Sequence, residues 1–585
     1  MANSDRKPYL TATVLDQDLL DNCQDNLVID LEMVVEIESP KLGETFYLSD
    51  RNKYIGSTFY EARLKFPVIK RTIGEILSPS LTFSSLRLEI NNADGKFNRV
   101  LPSGDDYDGW IGNTVKVKMG LRDILSTYTT IFEGTVSPVG GFQRTTKSFI
   151  LVVRDKFEEI NKTFPVETLK LVDVPNLEPT YDNAVIPYIY GDWTVKVETG
   201  AASVITIPAN GNDPNVNGVT GFTENVSVVI SENANTVFDS TEVYIRRGDF
   251  FYKFDSADIV NVSANKNSFQ VRQSGTSPAG TTTIDGDPYE FNLGDQFLVK
   301  VKGKDLGSGG IYDANIVSIA RDILETFSGL TSPDFDSSWD TVRDKTIAGP
   351  NFDPPQDAIK GILARAWLQE PQETFDYVLQ LLEQVRVEPF INRDQKLALR
   401  TLHFEDFDGS PSFKLRNWDV ERPTFKPKLD DRTNINRAKA VYNFLPNRKE
   451  NFEETSLFRN DAAIAQSGVE VSKKIVFPNL YSQGDVENQL VDLLRLVSST
   501  PENIYVNATW RALLLDIGDF ILVRIEIQGT VFEDVPCLVR EIGYDPNGNK
   551  MPLRLWSFQM TPFPGNLLTG TSGIIGGYNQ AITEE

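Results

Sequence analysis

"GNTVKVKMG", residues 112–120, is a glycine turn running into a strand in which valine and lysine alternate. The same construction returns as GDQFLVKVKG at 294–303 and as GDFILVRIE at 518–526. Each copy delivers Asn or Asp from a tight turn into a strand with Lys or Arg on one face, the period of a half-buried sheet. Two explanations stand side by side. Turn–strand units of this kind are common in any β-barrel, or the first and last copies belong to two related barrels within one chain.

Immediately upstream lies EINNADGKFNRVLPSGDDYDG, residues 89–109, whose acids and glycines raise the question of a calcium loop. Such a loop needs Asp or Asn at its odd positions, Gly at six and Glu at twelve. With Gly95 at position six, Ile90 stands at one and Leu101 at twelve; centring on Gly109 puts Gly104 at one. Neither register supplies the oxygen ligands. Turns between strands, built from Asp-Gly and Ser-Gly, are the simpler reading, and Asp105, Asp106 and Asp108 then belong to a solvated turn.

A chain of 585 residues exceeds one core and should hold about three to five domains. With 58 Lys and Arg against 82 Asp and Glu, the net charge is −24. Affinity for nucleic acid comes from cations that displace counterions, so a phosphate-gripping surface is not expected. A conduit through which DNA slides without sticking is compatible with this charge. Cys23 and Cys537 are the two cysteines, which fits neither a disulfide scaffold nor a zinc site and suits synthesis in a reducing compartment. The opening MANSDRKPYL has no basic region leading to an apolar core, and no apolar run reaches the roughly 18 residues of a membrane span.

Along the chain, residues 1–160 read as strands, including 27–39, 80–92, 113–120, 130–141 and 148–155. Residues 184–193, AVIPYIYGDW, mark a boundary. Residues 192–300 turn Gly-, Thr-, Asn- and Ser-rich and read as an inserted β-domain. Helices begin after about 310. Ile316, Ile319, Ala320, Ile323, Leu324 and Phe327 form one apolar face that stops at Gly329. A second helix turns Phe375, Val378, Leu379, Leu382 and Val385 inward, with Pro371 near its start, and a hairpin turning at NRDQ follows. A third, over 485–498, aligns Val486, Leu490, Leu494 and Val497, with Ser482 as the candidate cap. From 504 the chain returns to strands, and the glycine-rich end has little to pack.

Catalytic patterns are missing. The single histidine, His403, lies in RTLHFEDFDG, on a strand end away from any nucleophile elbow. TGTSGII near 572 misses G-x-S-x-G by one residue. There is no H-E-x-x-H, no cysteine pair at metal spacing and no phosphate-binding glycine loop. A carboxylate pair roughly 5 to 10 Å apart cannot be located from sequence among so many acids. No catalytic, cofactor-binding or metal-binding residue is assigned.

The order of parts resembles a known group. SLRLEINNADGKFN, then GWIGNTVKVKMG and IFEGTV, then IPYIYGD, precede DILETFSGL, LQLLEQVRVEPFINRDQKLAL and RTNINRAKAVYN. The sequence closes with LLRLVSSTPENIYVNATWRALLLDIGDFILVRI and VPCLVREIGYDPNG. Together these look like the tail or baseplate hub proteins of tailed bacteriophages, similar in fold to the T4 baseplate hub, over most of 27–190 and 310–560. The resemblance implies an α+β, mostly β, fold: a first tube-like β-barrel in 1–191, an inserted β-domain in 192–303, a helix-containing α/β domain in 304–440, a second tube-like barrel in 441–563 and a flexible arm in 564–585. Gly95, Gly109 and Gly112 become bend positions and Trp110 a barrel anchor.

What the resemblance implies about function is structural and non-enzymatic, with no cofactor. Such hubs are homotrimers in which two barrels per chain make six around a channel. They adapt the sixfold tail tube to a threefold spike or fibre, contact wedge proteins in contractile tails and let DNA pass without specific binding. The location implied is the virion, after synthesis in the host bacterial cytoplasm. Two rivals remain open: a tail-associated cell-wall hydrolase, with 192–300 as the room for it, and a β-rich adhesin. The parent particle, phage or another injection particle, also stays open.

Overall fold

The computed structural model describes residues 31–66, 69–75, 78–81, 86–101, 104–106, 109–121, 128–137, 142–144, 147–170, 182–193, 207–212, 226–247, 250–271, 283–284, 287–288, 296–307, 313–345, 359–392, 394–403, 413–429, 434–444, 452–498, 502–527, 530–545 and 550–557. The fold is mostly β with few helices. Two large sheets form at the two ends of the sequence, and a helical core and an inserted sheet lie between them in chain order.

The first sheet follows directly from the alternation in its strands. In Leu86–Asn91 every second residue is buried, and Ser148–Asp155 alternates in the same way. Met33, Val35, Ile37, Val115, Val117, Met119, Leu88, Ile90, Leu151 and Val153 thereby share one core. The order of its main strands is Glu44–Ser49, Leu31–Ser39, Thr114–Leu121, Thr129–Val136, Ser148–Asp155, Leu86–Asn91. One short segment joins the two ends. Thr58–Ala62 pairs in parallel with Glu44–Ser49, and Leu64–Lys65 pairs antiparallel with Leu86–Asn91. Between them the Arg63 N–H donates to Ser49 O at 2.8 Å, and the Asn91 N–H donates to Arg63 O at 2.8 Å. The sheet thus curls until its ends share one stretch of chain.

The second sheet repeats this arrangement. Its order is Phe413–Arg416, Phe520–Ile527, Thr530–Tyr544, Met551–Ser557, Glu502–Ala508, Lys426–Leu429. The first of these strands pairs in parallel and the last pairs antiparallel, and both belong to residues 413–429. A bridge between Val420 and Ala508 continues the contact along the segment. The expected tube-like barrels therefore take the form of two curled sheets. In each, a split segment joins the ends; among the described residues no single strand ladder closes either sheet.

The sheets are not independent. Ile69–Glu75, which falls midway among the strands of the first sheet in chain order, pairs with Glu541–Tyr544 of the second. Ile69 and Ile73 enter one apolar cluster with Leu86, Val117, Ile504 and Val539. Residues 413–429 belong to the second sheet, whereas Arg437–Tyr442, Glu453–Arg459 and Ser472–Phe477 form a separate three-stranded sheet. That small sheet packs with the helices because Ala438, Ala440, Phe458 and Phe477 share their core.

The three helices expected from apolar spacing are present, and two short ones that it did not mark, Ser338–Arg343 and Asp461–Ser467, join them. Ile316–Ile323 is capped by Asn315, whose side chain accepts from the Val317 N–H at 2.9 Å. Its continuation stops at Gly329, whose φ of 78° is open to glycine without strain. Thr374–Glu383 buries Phe375, Tyr377, Val378, Leu381 and Leu382; Leu379 is only partly buried. Gln483–Val497 begins at Ser482, the expected cap, which accepts from the Asp485 N–H. The expected hairpin is Val387–Ile391 with Leu397–Thr401.

The insertion leaves and returns at one neck. Gly303 N–H donates to Gly191 O at 2.9 Å, and Lys302 pairs with Asp192 at 2.9 Å. A Cβ on Gly191 would stand 2.3 Å from Ala364 O, so only glycine allows the neck to approach the helical core this closely. Beyond the neck, Val228, Ile230, Val243, Ile245, Phe269 and Val299 form a separate core.

Candidate functional site

The repeated turn–strand unit is the feature that the sequence singled out, and its geometry can be compared bond by bond. At the first copy Asn113 N–H donates to Trp110 O at 3.1 Å, Gly112 N–H to Val136 O at 2.9 Å, and Val136 N–H to Asn113 O at 3.0 Å. At the last copy Asp519 N–H donates to Asp516 O at 3.1 Å, Gly518 N–H to Val539 O at 2.6 Å, and Val539 N–H to Asp519 O at 3.0 Å. The glycines have φ of 73° and 79°. Each unit feeds an eight-residue strand that pairs antiparallel with the strand following it. Gly294 of the middle copy lies outside the described residues; the strand after it, Gln296–Lys302, belongs to the insertion's sheet.

The stretch 89–109 does more than turn. Leu86–Asn91 and Thr114–Leu121 are not neighbours, so the chain between them crosses one end of the first sheet. Phe97, Val100, Leu101 and Trp110 on it are fully buried, and the Trp110 ring lies 5.0 Å from Phe46 and 5.4 Å from Phe97. Gly95 and Gly112 occupy the left-handed region. Gly109 is instead a close-packing position, where a Cβ would come within 3.2 Å of Leu42. Asp94 holds the seam: Arg63 donates to both its oxygens, at 2.7 and 2.6 Å.

The faces turned away from the core are rows of paired charge. On the first sheet Lys116 meets Glu38 at 2.6 Å and Lys118 meets Glu36 at 2.8 Å. On the second, Lys414 meets Asp534 at 2.9 Å and Arg524 meets Glu533 at 3.1 Å. Part of the second sheet's outer face is covered. Phe520, Leu538 and Trp556 are cross-strand neighbours and pack into the helical core. Beside them Arg540, at an irregularity in its strand, forms a buried two-pronged pair with Glu388 at 2.7 to 3.0 Å. Arg71 reaches from its shared strand to Asp516 at 2.9 Å and donates to Ile391 O. These contacts fix the second sheet to the helical core.

His403 is 1% exposed. Its Nδ1 lies 2.9 Å from Arg386 Nη2 and 3.0 Å from Asp492 Oδ2. Burial, and then the Arg386 charge, push its pKa below the usual imidazole value, so the ring is neutral at pH 7. The described residues contain no group of three His, Cys, Asp or Glu placed to hold a metal ion, and no described helix is long and apolar enough to cross a membrane. Cys537 is buried and its thiol is pushed up by burial, which suppresses the thiolate.

Two curled, cross-linked sheets around a shared core define a β-rich fold with an attached helical core and an insertion. In overall fold this chain is similar to the tail protein from Neisseria meningitidis, with 9% identity, 91% of this chain and 97% of that one covered, and a TM-score of 0.38. It is also similar to the 43 kDa tail protein of prophage MuSo2 from Shewanella oneidensis, with 10% identity, coverage of 90% and 98%, and a TM-score of 0.37. A chain of a native gene transfer agent virion matches with 10% identity, coverage of 68% and 89%, and a TM-score of 0.35. No protein-family model and no curated protein matches the sequence.

Proposed function

We propose that this chain is the structural hub of a phage tail or baseplate. In this reading three copies form a ring in which the two curled sheets of each chain supply six similar elements around a channel. The ring adapts a sixfold tube to a threefold spike or fibre, and DNA passes through it. The observation that carries the proposal is the bond-for-bond correspondence of the units at Gly112 and Gly518, because a chain with two like elements needs only three copies to present six. Closed cyclic symmetry then follows from one repeated interface, which in an obligate ring buries upwards of about 2,000 Å².

The charge supports a conduit rather than a clamp. The chain carries a net −24, while the outer rows of both sheets hold matched ion pairs. Lys116, Lys118, Lys414 and Arg524 in those rows are each held by an acid, which leaves them less free to grip phosphate by counterion release, and the overall field is repulsive. The role is non-enzymatic, and the location is the virion. Native mass spectrometry of the purified full chain at low micromolar concentration tests the assembly. Three chain masses are expected; a strict monomer, with and without tube and spike proteins, would contradict the proposal.

A further inference from the structure

At the neck of the insertion two cores share one pair of strands. Tyr188–Tyr190 pairs antiparallel with Ala366–Leu368, with Ile189 opposite Trp367. Side chains alternate along a strand, so this ribbon faces two ways. Tyr188, Tyr190, Ala366 and Leu368 belong to the helical core, while Ile189 and Trp367 pack into the core of the insertion. Asn233 of the insertion accepts from the Ile189 N–H at 2.8 Å and donates to Ile189 O at 2.9 Å. On the returning strand Lys304 N–H donates to Ile189 O at 3.1 Å, and a Cβ on Gly303 would stand 2.4 Å from that same oxygen. Lys304 Nζ and the Tyr190 hydroxyl both donate to Asp322 on the helix Ile316–Ile323, at 2.8 and 2.7 Å. Arg365 ties the two sides together. It is 3% exposed. Its guanidinium carbon lies 3.9 Å from the ring centre of Tyr481, just ahead of the helix Gln483–Val497, and 5.6 Å from that of Trp193 in the insertion's core. Its N–H donates to Asn479 O at 2.8 Å, and its carbonyl accepts from Asn479 Nδ2 at 2.7 Å.

We propose that the neck is a locked joint that carries the insertion as a fixed bracket on the helical core, with Arg365 as its positioning residue. A domain joined to its neighbour by two passages of chain moves against it by default, unless the interface is large and apolar. A hinge needs a few residues that can change φ and ψ at little cost. Swinging this neck would pull Ile189 and Trp367 from one core or Tyr188 and Tyr190 from the other, and either exposes apolar surface. Gly191 and Gly303 are poor hinges for a separate reason. The space beside each is already filled by backbone, at Ala364 and Ile189 respectively, so rotation there meets a neighbouring strand. Arg365 adds a cation held against aromatic rings away from water, where that attraction is strongest. The insertion therefore presents its surface at a set angle. The lock acts within one chain, so it stands apart from the hub reading.

The test uses the full chain with Cys23→Ser, spin-labelled at Ala264→Cys in the insertion and Gln380→Cys in the helical core, both exposed positions. Cys537 is buried and escapes the label. Co-expression with an excess of chain lacking the two new cysteines confines the readout to distances within one chain. Pulsed dipolar spectroscopy should give one narrow distance peak. Hydrogen exchange at 188–192, 302–304 and 365–368 should be as slow as in Ile316–Ile323. Arg365→Met should broaden the peak and speed exchange at the neck at least about tenfold, with 226–229 and 268–271 unchanged. Arg365→Lys, which keeps the cation, should restore most of the protection, and Gly191→Ala should loosen the same segments with Arg365 in place. A broad or many-peaked distribution in the starting chain, or neck exchange as fast as in an exposed loop, would overturn the proposal. So would an Arg365→Met chain indistinguishable from the starting one, or Arg365→Lys no better than Arg365→Met. The starting chain decides whether the joint is locked even where a variant fails to fold. Ring and monomer give the same readout, so failure here leaves the hub reading intact.

Discussion

Gly112 and Gly518 occupy equivalent places in two turns. Each has a left-handed backbone, and each donates its N–H to the valine whose own N–H returns to the next residue, Asn113 or Asp519. Substitution separates what they share from what they do not. Gly112→Ala should cost about 1 kcal/mol, the usual penalty for a side chain at positive φ, since nothing stands within 4 Å of a Cβ there. Gly518→Ala should cost more, because its Cβ would lie 2.8 Å from Arg400 Cδ. Thermal unfolding of both variants checks this, and equal losses would contradict the account.

The seam of the first sheet depends on Arg63. Its backbone bonds to both ends of the sheet, and its guanidinium holds Asp94 and Glu61. In Arg63→Ala the backbone bonds remain but lose their side-chain anchor. Faster amide exchange is expected in 58–65 and 86–91, with the second sheet unchanged. Exchange that rises equally in both sheets would show that the seam has no separate role.

The buried pair between Arg540 and Glu388 joins the second sheet to the hairpin of the helical core. Removing one partner leaves an uncompensated buried charge, so Arg540→Met should destabilise by about 3–5 kcal/mol. The double variant with Glu388→Leu should recover most of that loss. Denaturant titrations of the single and double variants form the required cycle.

Asp155 gives the chain a distinct pH dependence. Burial raises its carboxyl from 3.8 to about 6, opposed by the bond it accepts from the Phe157 N–H. The folded state therefore binds this proton more tightly than the unfolded state. The associated stability is present below about pH 4 and is lost as pH rises through about 6. Asp155→Asn keeps an acceptor for Phe157 and removes the buried charge. It should raise the melting temperature at pH 7.5 and change it little at pH 4.5. The opposite ordering would mean that Asp155 is stabilised as the anion.

Much of this fold was readable from local pattern. The turn at Gly112 needs a residue at positive φ, and the strands beyond it alternate because one face is buried, so both signals sit in adjacent residues. The same holds for Ser482 as a cap and Gly329 as a stop. Long-range choices left no such trace. The alternation of IKRTIGE at 69–75 suits any half-buried strand, and nothing local says that its partner is Glu541–Tyr544. No local pattern separates the strands of 413–429, which join the second sheet, from Arg437–Tyr442 and Ser472–Phe477, which offer Ala438, Ala440 and Phe477 to the helices. Leu379 was expected inward and is only partly buried, whereas Leu381 is fully buried. Thr374–Glu383 buries Tyr377 and Leu381 beyond the single stripe, so one-face spacing understates its contacts. The pairing of Arg540 with Glu388 and the seam at Arg63 are likewise visible only once distant segments meet.

Electron cryomicroscopy of the purified protein decides whether the proposed ring exists. End-on averages should show strict threefold symmetry, six similar β-rich lobes and a central hole, with the sheets of each chain occupying adjacent positions. Three lobes, a solid particle, or two sheets of one chain on opposite sides of the particle would contradict it.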